Sequence, residues 1–233
     1  NRKFDYLINI LGADHTGYIK RISAAVSALS DKKVTLKCKV CQLVKLYKNG
    51  QPFKMSKRAG DFISAQDLSN KVSKDAIRFM MLNRSNDVEL DFDFEKVKEK
   101  TKDNPVFYVQ YAYARINSIT RLLKMDLTDK ILIQSDTFSP NVYEEKIIRK
   151  IFQWPKIVES AADKLEPHKI PFYLYDLSTL FHSYWSKGNE NSNFRFIENG
   201  KIKRLESLTF IYLIAIVIKN GMNILGVSLP EKM

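Results

Sequence analysis

Lys54-Met55-Ser56-Lys57-Arg58-Ala59-Gly60 places an ammonium group on either side of a small hydroxyl, then adds a third cation and a glycine. Lysine is a compact charge on a flexible stem. In a loop, such a run can lie along a polyphosphate and neutralise charge that develops while a phosphate is attacked. Its natural ligand is a nucleoside triphosphate, and in open α/β sheets nucleotides bind where strands end and helices begin. The sequence upstream has that form. Residues 4–11 are a short apolar run closed by Gly12, read as a buried parallel strand, and a helix is expected over about 16–29. Asp14 and His15 then fall at the carboxyl end of the strand. Asp14 can accept a hydrogen bond from a ribose or substrate hydroxyl, with His15 and Tyr18 packing or bonding nearby. Taken alone, these residues read better as a helix cap and a satisfied turn residue, and Lys20 and Arg21 as solvated.

Between the strand and the lysine run the pattern alternates over 34–47, with Leu36, Cys38 and Val40 on one face and Lys37 and Lys39 on the other. That is one half-buried strand. It meets Asn49-Gly50, the dipeptide that accepts positive φ in a tight hairpin, and Gln51-Pro52 makes a hinge ahead of a closing loop. Cys38 and Cys41 form the only C-x-x-C. Zinc is disfavoured, because no second pair follows and a strand sends residues three apart to opposite faces.

Downstream, Ser64-x-x-Asp67 reads as a capped helix start and 73–83 as a second helix. Leu90, Phe92 and Phe94 alternate with Glu89, Asp91, Asp93 and Glu95, giving a packed face under a solvated acidic one. Asp103-Asn104-Pro105 marks a boundary, a cap followed by proline at the first helical position. Beyond it Val109, Tyr113, Ile116, Thr120 and Leu123 form a helical stripe. Helices are expected at about 141–165, 168–187 and 203–224, with Asn220-Gly221 and Gly226 as ending signals. The run 208–218 is about half the roughly 20 residues that span a bilayer and is expected as a buried helix. No basic-then-apolar signal peptide opens the chain.

The net charge of +12 suits a polyanionic partner, with lysine-rich genome composition as the competing account. Its placement is informative. Residues 1–60 carry +10, 61–103 carry −2 and 104–233 carry +4. Without a disulfide framework, a reducing cytoplasm is the default compartment.

The blocks 54–60, Gly12-Ala13-Asp14-His15-Thr16-Gly17-Tyr18, Asp103-Asn104-Pro105-Val106-Phe107-Tyr108-Val109-Gln110-Tyr111-Ala112 and Leu225-Gly226-Val227-Ser228-Leu229-Pro230-Glu231-Lys232-Met233 together resemble the arginyl-tRNA synthetases, a class I aminoacyl-tRNA synthetase family. Asp75-Ala76-Ile77-Arg78 resembles the D-A-L-R signature of that family's helical module, with isoleucine for leucine. The resemblance implies three regions: 1–60, an α/β remnant from the end of a Rossmann-like catalytic domain; 61–103, a connector leaning on the inside of the bent tRNA; and 104–233, an all-helical DALR-type anticodon-binding bundle. It implies an arginine–tRNA ligase that activates L-arginine with ATP and Mg2+ when tRNA is present and transfers it to the tRNA 3′ end. A monomer with no membrane association is expected.

In that scheme Lys57 stabilises charge on the α-phosphate and pyrophosphate, Lys54 assists, Ser56 holds the loop or an oxygen, and Gly12, Asp14, His15, Tyr18 and Met55 help hold ATP and the adenylate. Tyr111, Arg115, Phe181, Trp185 and Met233 are the residues the resemblance selects for tRNA. The H-x-G-H signature and the arginine pocket are missing. A carboxyl-terminal fragment, silent in catalysis by itself, is therefore expected. A cysteinyl- or methionyl-type synthetase and a non-catalytic tRNA-binding module remain the alternatives.

Overall fold

The computed structural model describes residues 4, 6–53, 63–125, 139–204 and 206–233, so the lysine run 54–60 lies outside the described residues. Two compact units are present: Asn1–Phe62 with Arg84–Phe94, and Ile63–Asn83 with Glu95–Met233. The expected connector is divided between them and forms no unit of its own.

In the first unit, β1 (Tyr6–Gly12) leads through a 3-10 turn (Ala13–Tyr18) into helix α1 (Ile19–Leu29) and back to β2 (Thr35–Cys41). The strands pair in parallel, Tyr6 opposite Thr35 through Gly12 opposite Cys41. The parallel pairing follows the expectation, but the burial does not. Tyr6, Ile8 and Ile10 are 61%, 54% and 69% exposed. An apolar run of this kind suits a strand covered on both faces, and two strands with one helix supply too little to cover it.

The single strand expected over 34–47 is two. β2 stops at Cys41, and β3 (Val44–Lys48) joins a second sheet of order β4-β3-β5, with β4 at Gln51–Pro52 and β5 at Leu90–Asp93. The switch is fixed by Asn86, whose amide donates to the Val40 carbonyl at 2.7 Å and whose carbonyl takes the Gln42 N–H at 2.8 Å. The sequence marks the break only by Gln42 on the apolar face and Leu43 on the polar one. The hairpin turn is as expected, with φ of 52° at Asn49 and 74° at Gly50. Leu90, Phe92 and Phe94 are buried, but so is Asp93, which accepts the Gly50 N–H at 2.7 Å and clamps the turn. One acid of the expected solvated face is thus structural.

In the second unit, α2 (Ala65–Lys71) begins with the Ser64–Asp67 capping box, and α3 (Lys74–Leu82) is capped by Ser73. Helix α4 (Pro105–Leu123) starts at the expected proline. Asn104 makes no cap bond with its side chain; its amide turns back to the Val97 and Glu99 carbonyls at 3.0 and 2.8 Å. The helix expected over 141–165 is α5 (Val142–Phe152) and α6 (Trp154–Asp163), divided at Gln153 because Pro155 can occupy only a first turn. Next come α7 (Lys169–Glu190), the hairpin β6 (Ile197–Glu198) and β7 (Lys201–Ile202), and α8 (Glu206–Leu225). The bundle is therefore not purely helical. Asn199-Gly200, with φ of 49° and 74°, is a second tight turn, in a stretch whose strands are too short to show periodicity.

Helix α7 lies against α4, α5, α6 and α8. Leu174, Leu177 and Phe181 of α7 meet a core containing Ile116, Ile147, Ile211, Ile214, Ile218 and Met222, all fully enclosed. By length and a mean hydropathy of 1.7, α8 could cross a membrane, yet it is the core helix expected from 208–218. Gly221 does not end it: a Cβ there would stand 2.7 Å from Leu174 Cδ2, so the glycine lets two helices approach closely. Gly226 at φ 65° does end it, with the Val227 N–H reaching the Met222 carbonyl at 3.0 Å.

Candidate nucleic-acid interface

At the carboxyl end of β1, Gly12 has an ordinary φ of −68° that any residue can adopt. A Cβ there would fall 2.5 Å from Asp14 Oδ1, so the carboxylate is folded over the strand end. His15 Nε2 stands 3.5 Å from Asp14 Oδ2, and the His15 and Tyr18 rings are 5.8 Å apart. The Arg21 guanidinium lies 5.8 Å from the Tyr18 ring centre. Asp14, His15 and Tyr18 are exposed and can meet a ligand. Lys54, Met55, Ser56 and Lys57 lie outside the described residues. Cys38 is half-buried and Cys41 exposed, and among the described residues no three metal-ligating side chains gather.

The ring cluster of the second unit is built on α4 and α7. Tyr111 and Arg115, four residues apart, share one face of α4. The Arg115 guanidinium carbon lies 4.2 Å from the Tyr111 ring centre and 5.3 Å from that of Trp185. A cation between two π-faces is held by their quadrupoles, and all three side chains stay half-exposed, so each can also meet an unpaired base. Phe107 stacks on Tyr111 at 5.7 Å. Phe181 does not belong to this surface. It is 0% exposed, packed on Trp185 at 5.8 Å and Phe196 at 6.3 Å, and cannot offer a face to RNA. The expectation for Phe181 is corrected: aromatic identity at the right spacing does not distinguish a core ring from a surface one.

His182 joins the cluster from beneath. Its Nδ1 is 2.9 Å from Arg115 Nη1 and its Nε2 is 3.0 Å from the Tyr108 carbonyl. Burial first, and the Arg115 charge with it, push its pKa down to about 4, against the pull of the Tyr108 bond. The folded state therefore favours neutral His182, while the unfolded chain protonates near 6.5. Between those values the unfolded state binds more protons, so stability is full above about pH 6.5 and falls with pH toward about 4. Lowering the pH from 7.5 to 5.0 is expected to cost about 2 kcal/mol through this one group. Urea unfolding of the chain at the two pH values checks this, and His182→Gln should remove that part of the difference.

The carboxyl-terminal tail is tied down by residues the sequence had marked only as a signature. Arg78 Nε donates to the Leu225 carbonyl at 2.8 Å, Asp75 accepts the Ser228 N–H at 3.2 Å and its hydroxyl, and Gln110 Nε2 reaches the Ser228 carbonyl at 2.9 Å. Arg121 holds the Glu231 carbonyl at 2.6 Å. Asp75 and Arg78 thus grip the turn after α8. Met233, 53% exposed, borders a groove of about 380 Å³ shared with Phe107 and Gln110. Tyr111, Arg115 and Trp185 are brought together; Met233 sits along the Phe107 side of the same helix.

Sequence reasoning passed over His182, although its spacing of three from Trp185 puts both on one face of α7. It also passed over Glu144. That fully buried carboxylate accepts from the Asn141 N–H at 3.0 Å, from the Tyr184 hydroxyl at 2.9 Å and from Arg204, fastening α5 to α7 and to the segment before α8. Burial pushes the Tyr184 phenol up to about 12, so the hydroxyl remains a donor.

The chain is similar over its whole length to the arginine–tRNA ligases of Pelagibacter ubique, at 57% identity, and Ruegeria pomeroyi, at 49%. It spans about 40% of the length of these relatives. A solved structure from Campylobacter jejuni described as an arginyl-tRNA synthetase matches all of the chain and 49% of its own, with a TM-score of 0.85 and 31% identity. The Thermus thermophilus arginyl-tRNA synthetase shares the fold, with a TM-score of 0.72 at 21% identity over 99% of the chain. Residues 109–233, which hold Tyr111, Arg115, His182 and Trp185, match the family model of the DALR anticodon binding domain. On that match, extending over more than half of its length, the chain belongs to the DALR anticodon binding domain family.

Proposed function

We propose that the chain works as part of an arginine–tRNA ligase, its second unit binding the anticodon loop of an arginine-accepting tRNA. The observation that carries the reading is Arg115 held between Tyr111 and Trp185, half-exposed on a chain of net charge +12. Unpaired bases are read by stacking on such rings and by donors aimed at base edges. Met233 extends the surface along α4.

The first unit is read as the end of a nucleotide-binding domain of the class I type. Parallel β1 and β2, the bare apolar faces of β1 and the exposed Asp14, His15 and Tyr18 at the strand end support this. There Gly12 gives the space, Asp14 an acceptor for a ribose or substrate hydroxyl, and His15 and Tyr18 a surface for a base. Lys54, Ser56 and Lys57 supply positive charge and a donor to the triphosphate, and Met55 is assigned with them to ATP. ATP, with magnesium, would supply the adenylyl group that activates the arginine carboxylate, with pyrophosphate as the leaving group. The complete ligase is read as a cytoplasmic monomer.

The test uses the chain itself and a fluorescent anticodon hairpin of an arginine tRNA. Arg115→Ala is expected to weaken binding about tenfold, and Trp185→Ala by about ten- to a hundredfold. Unchanged affinity in both variants would defeat the assignment. Charging of cysteine or methionine in place of arginine by the complete ligase would overturn the choice of amino acid.

A further inference from the structure

We infer that His182 is a positioning residue for Arg115: its Nδ1 lone pair accepts the Nη1 hydrogen of the guanidinium and holds that cation between Tyr111 and Trp185. The inference rests on the anticodon reading and assigns a task to a buried group which that reading does not use. Arginine has no acceptor and stays protonated, so the 2.9 Å contact requires a lone pair on Nδ1. The Tyr108 carbonyl can only accept, so the hydrogen must sit on Nε2, 3.0 Å away. One tautomer satisfies both demands, and the backbone of α4 selects it.

The ring is held rigidly. It packs on Tyr108 at 4.3 Å and on Tyr111 at 5.5 Å with planes 28° apart, and it is 5% exposed. The groups facing it are Arg115 and the phenols of Tyr108 and Tyr111 from α4, with Tyr175 of α7 touching Tyr108. The depressed pKa keeps the lone pair free across neutral pH. A free arginine side chain explores many rotamers, and fixing one before RNA arrives removes that ordering cost from binding. A histidine needed only for packing would require the Nε2 bond and the ring contacts; the Nδ1 bond is separable from both.

Two isosteric substitutions separate them. His182→Asn puts an amide oxygen where Nδ1 was and keeps an acceptor for Arg115. His182→Gln carries its amide to the Nε2 position, keeps the bond to Tyr108 and loses the acceptor. Against the arginine anticodon hairpin, H182Q is expected to bind about tenfold more weakly and to lose preference over a hairpin with the three anticodon bases replaced, while H182N stays within about threefold of the unsubstituted chain. A second readout needs no RNA. The Arg115 Nη signals in nitrogen NMR should show hindered rotation in the unsubstituted chain and in H182N, and free rotation in H182Q. Equal affinities or equal Arg115 signals in the two variants would overturn the inference. A hairpin preference present in the unsubstituted chain and unchanged in H182Q would overturn it alone, whereas no preference in the unsubstituted chain would remove the anticodon reading and the inference with it.

Discussion

Lys57→Ala in the complete ligase is expected to lower arginine-dependent ATP–pyrophosphate exchange by about 10²–10³-fold, the usual cost of deleting one preorganised donor to developing charge. The expectation rests on the chemistry of residues 54–60. An ammonium on a flexible stem can follow charge as it moves from the α-phosphate to the leaving pyrophosphate, whereas alanine leaves that charge to water. Because the interaction is made chiefly in the transition state, the loss should fall on kcat more than on the KM for ATP. Lys54→Ala should be milder, and hairpin binding by Lys57→Ala should be unchanged, since that readout belongs to the second unit. An exchange rate equal to that of the unsubstituted ligase would remove Lys57 from the reaction.

Phe181→Ala is expected to destabilise the second unit by about 3–5 kcal/mol, the range for truncating a fully buried aromatic ring. Phe181 has no exposed surface and touches His182, Trp185 and Phe196. Its removal leaves a cavity beside His182 and Trp185, both of which touch Arg115. Trp185→Ala reverses the balance: the ring is half-exposed, so RNA affinity should fall with a smaller change in stability. Urea unfolding and hairpin titration on the two variants give the contrast. Loss of affinity in Phe181→Ala without loss of stability would return Phe181 to the surface.

Much of the fold was legible where a local rule has one outcome. Asn49-Gly50 had to turn, Ser64 and Ser73 had to cap, Pro105 had to start a helix and Gly226 had to end one. Legibility failed where two structures share one pattern. The alternation over 34–47 falters only at Gln42 and Leu43, too little to tell a local fault from the change of sheet that Asn86, far along the chain, fixes. Gly221 satisfies a helix-ending rule and a close-packing rule equally, and only Leu174 on the neighbouring helix decides between them. The exposed strand β1 is the converse case: its sequence is written for two covering layers that two strands and one helix do not supply.

By itself the sequence determined the types of chemistry available: a cationic run suited to a triphosphate, a parallel strand ending at Gly12, a capped helical region rich in aromatic rings, and where most helices begin and end. Those follow from backbone conformation and side-chain chemistry, which are local. Only the tertiary structure decided which ring is core and which is surface, that His182 supports Arg115, and that Asp75 and Arg78 hold the tail. The last two depend on residues 67 to 153 positions apart, and contacts over such separations are set by how helices pack, which one chain's local pattern does not encode.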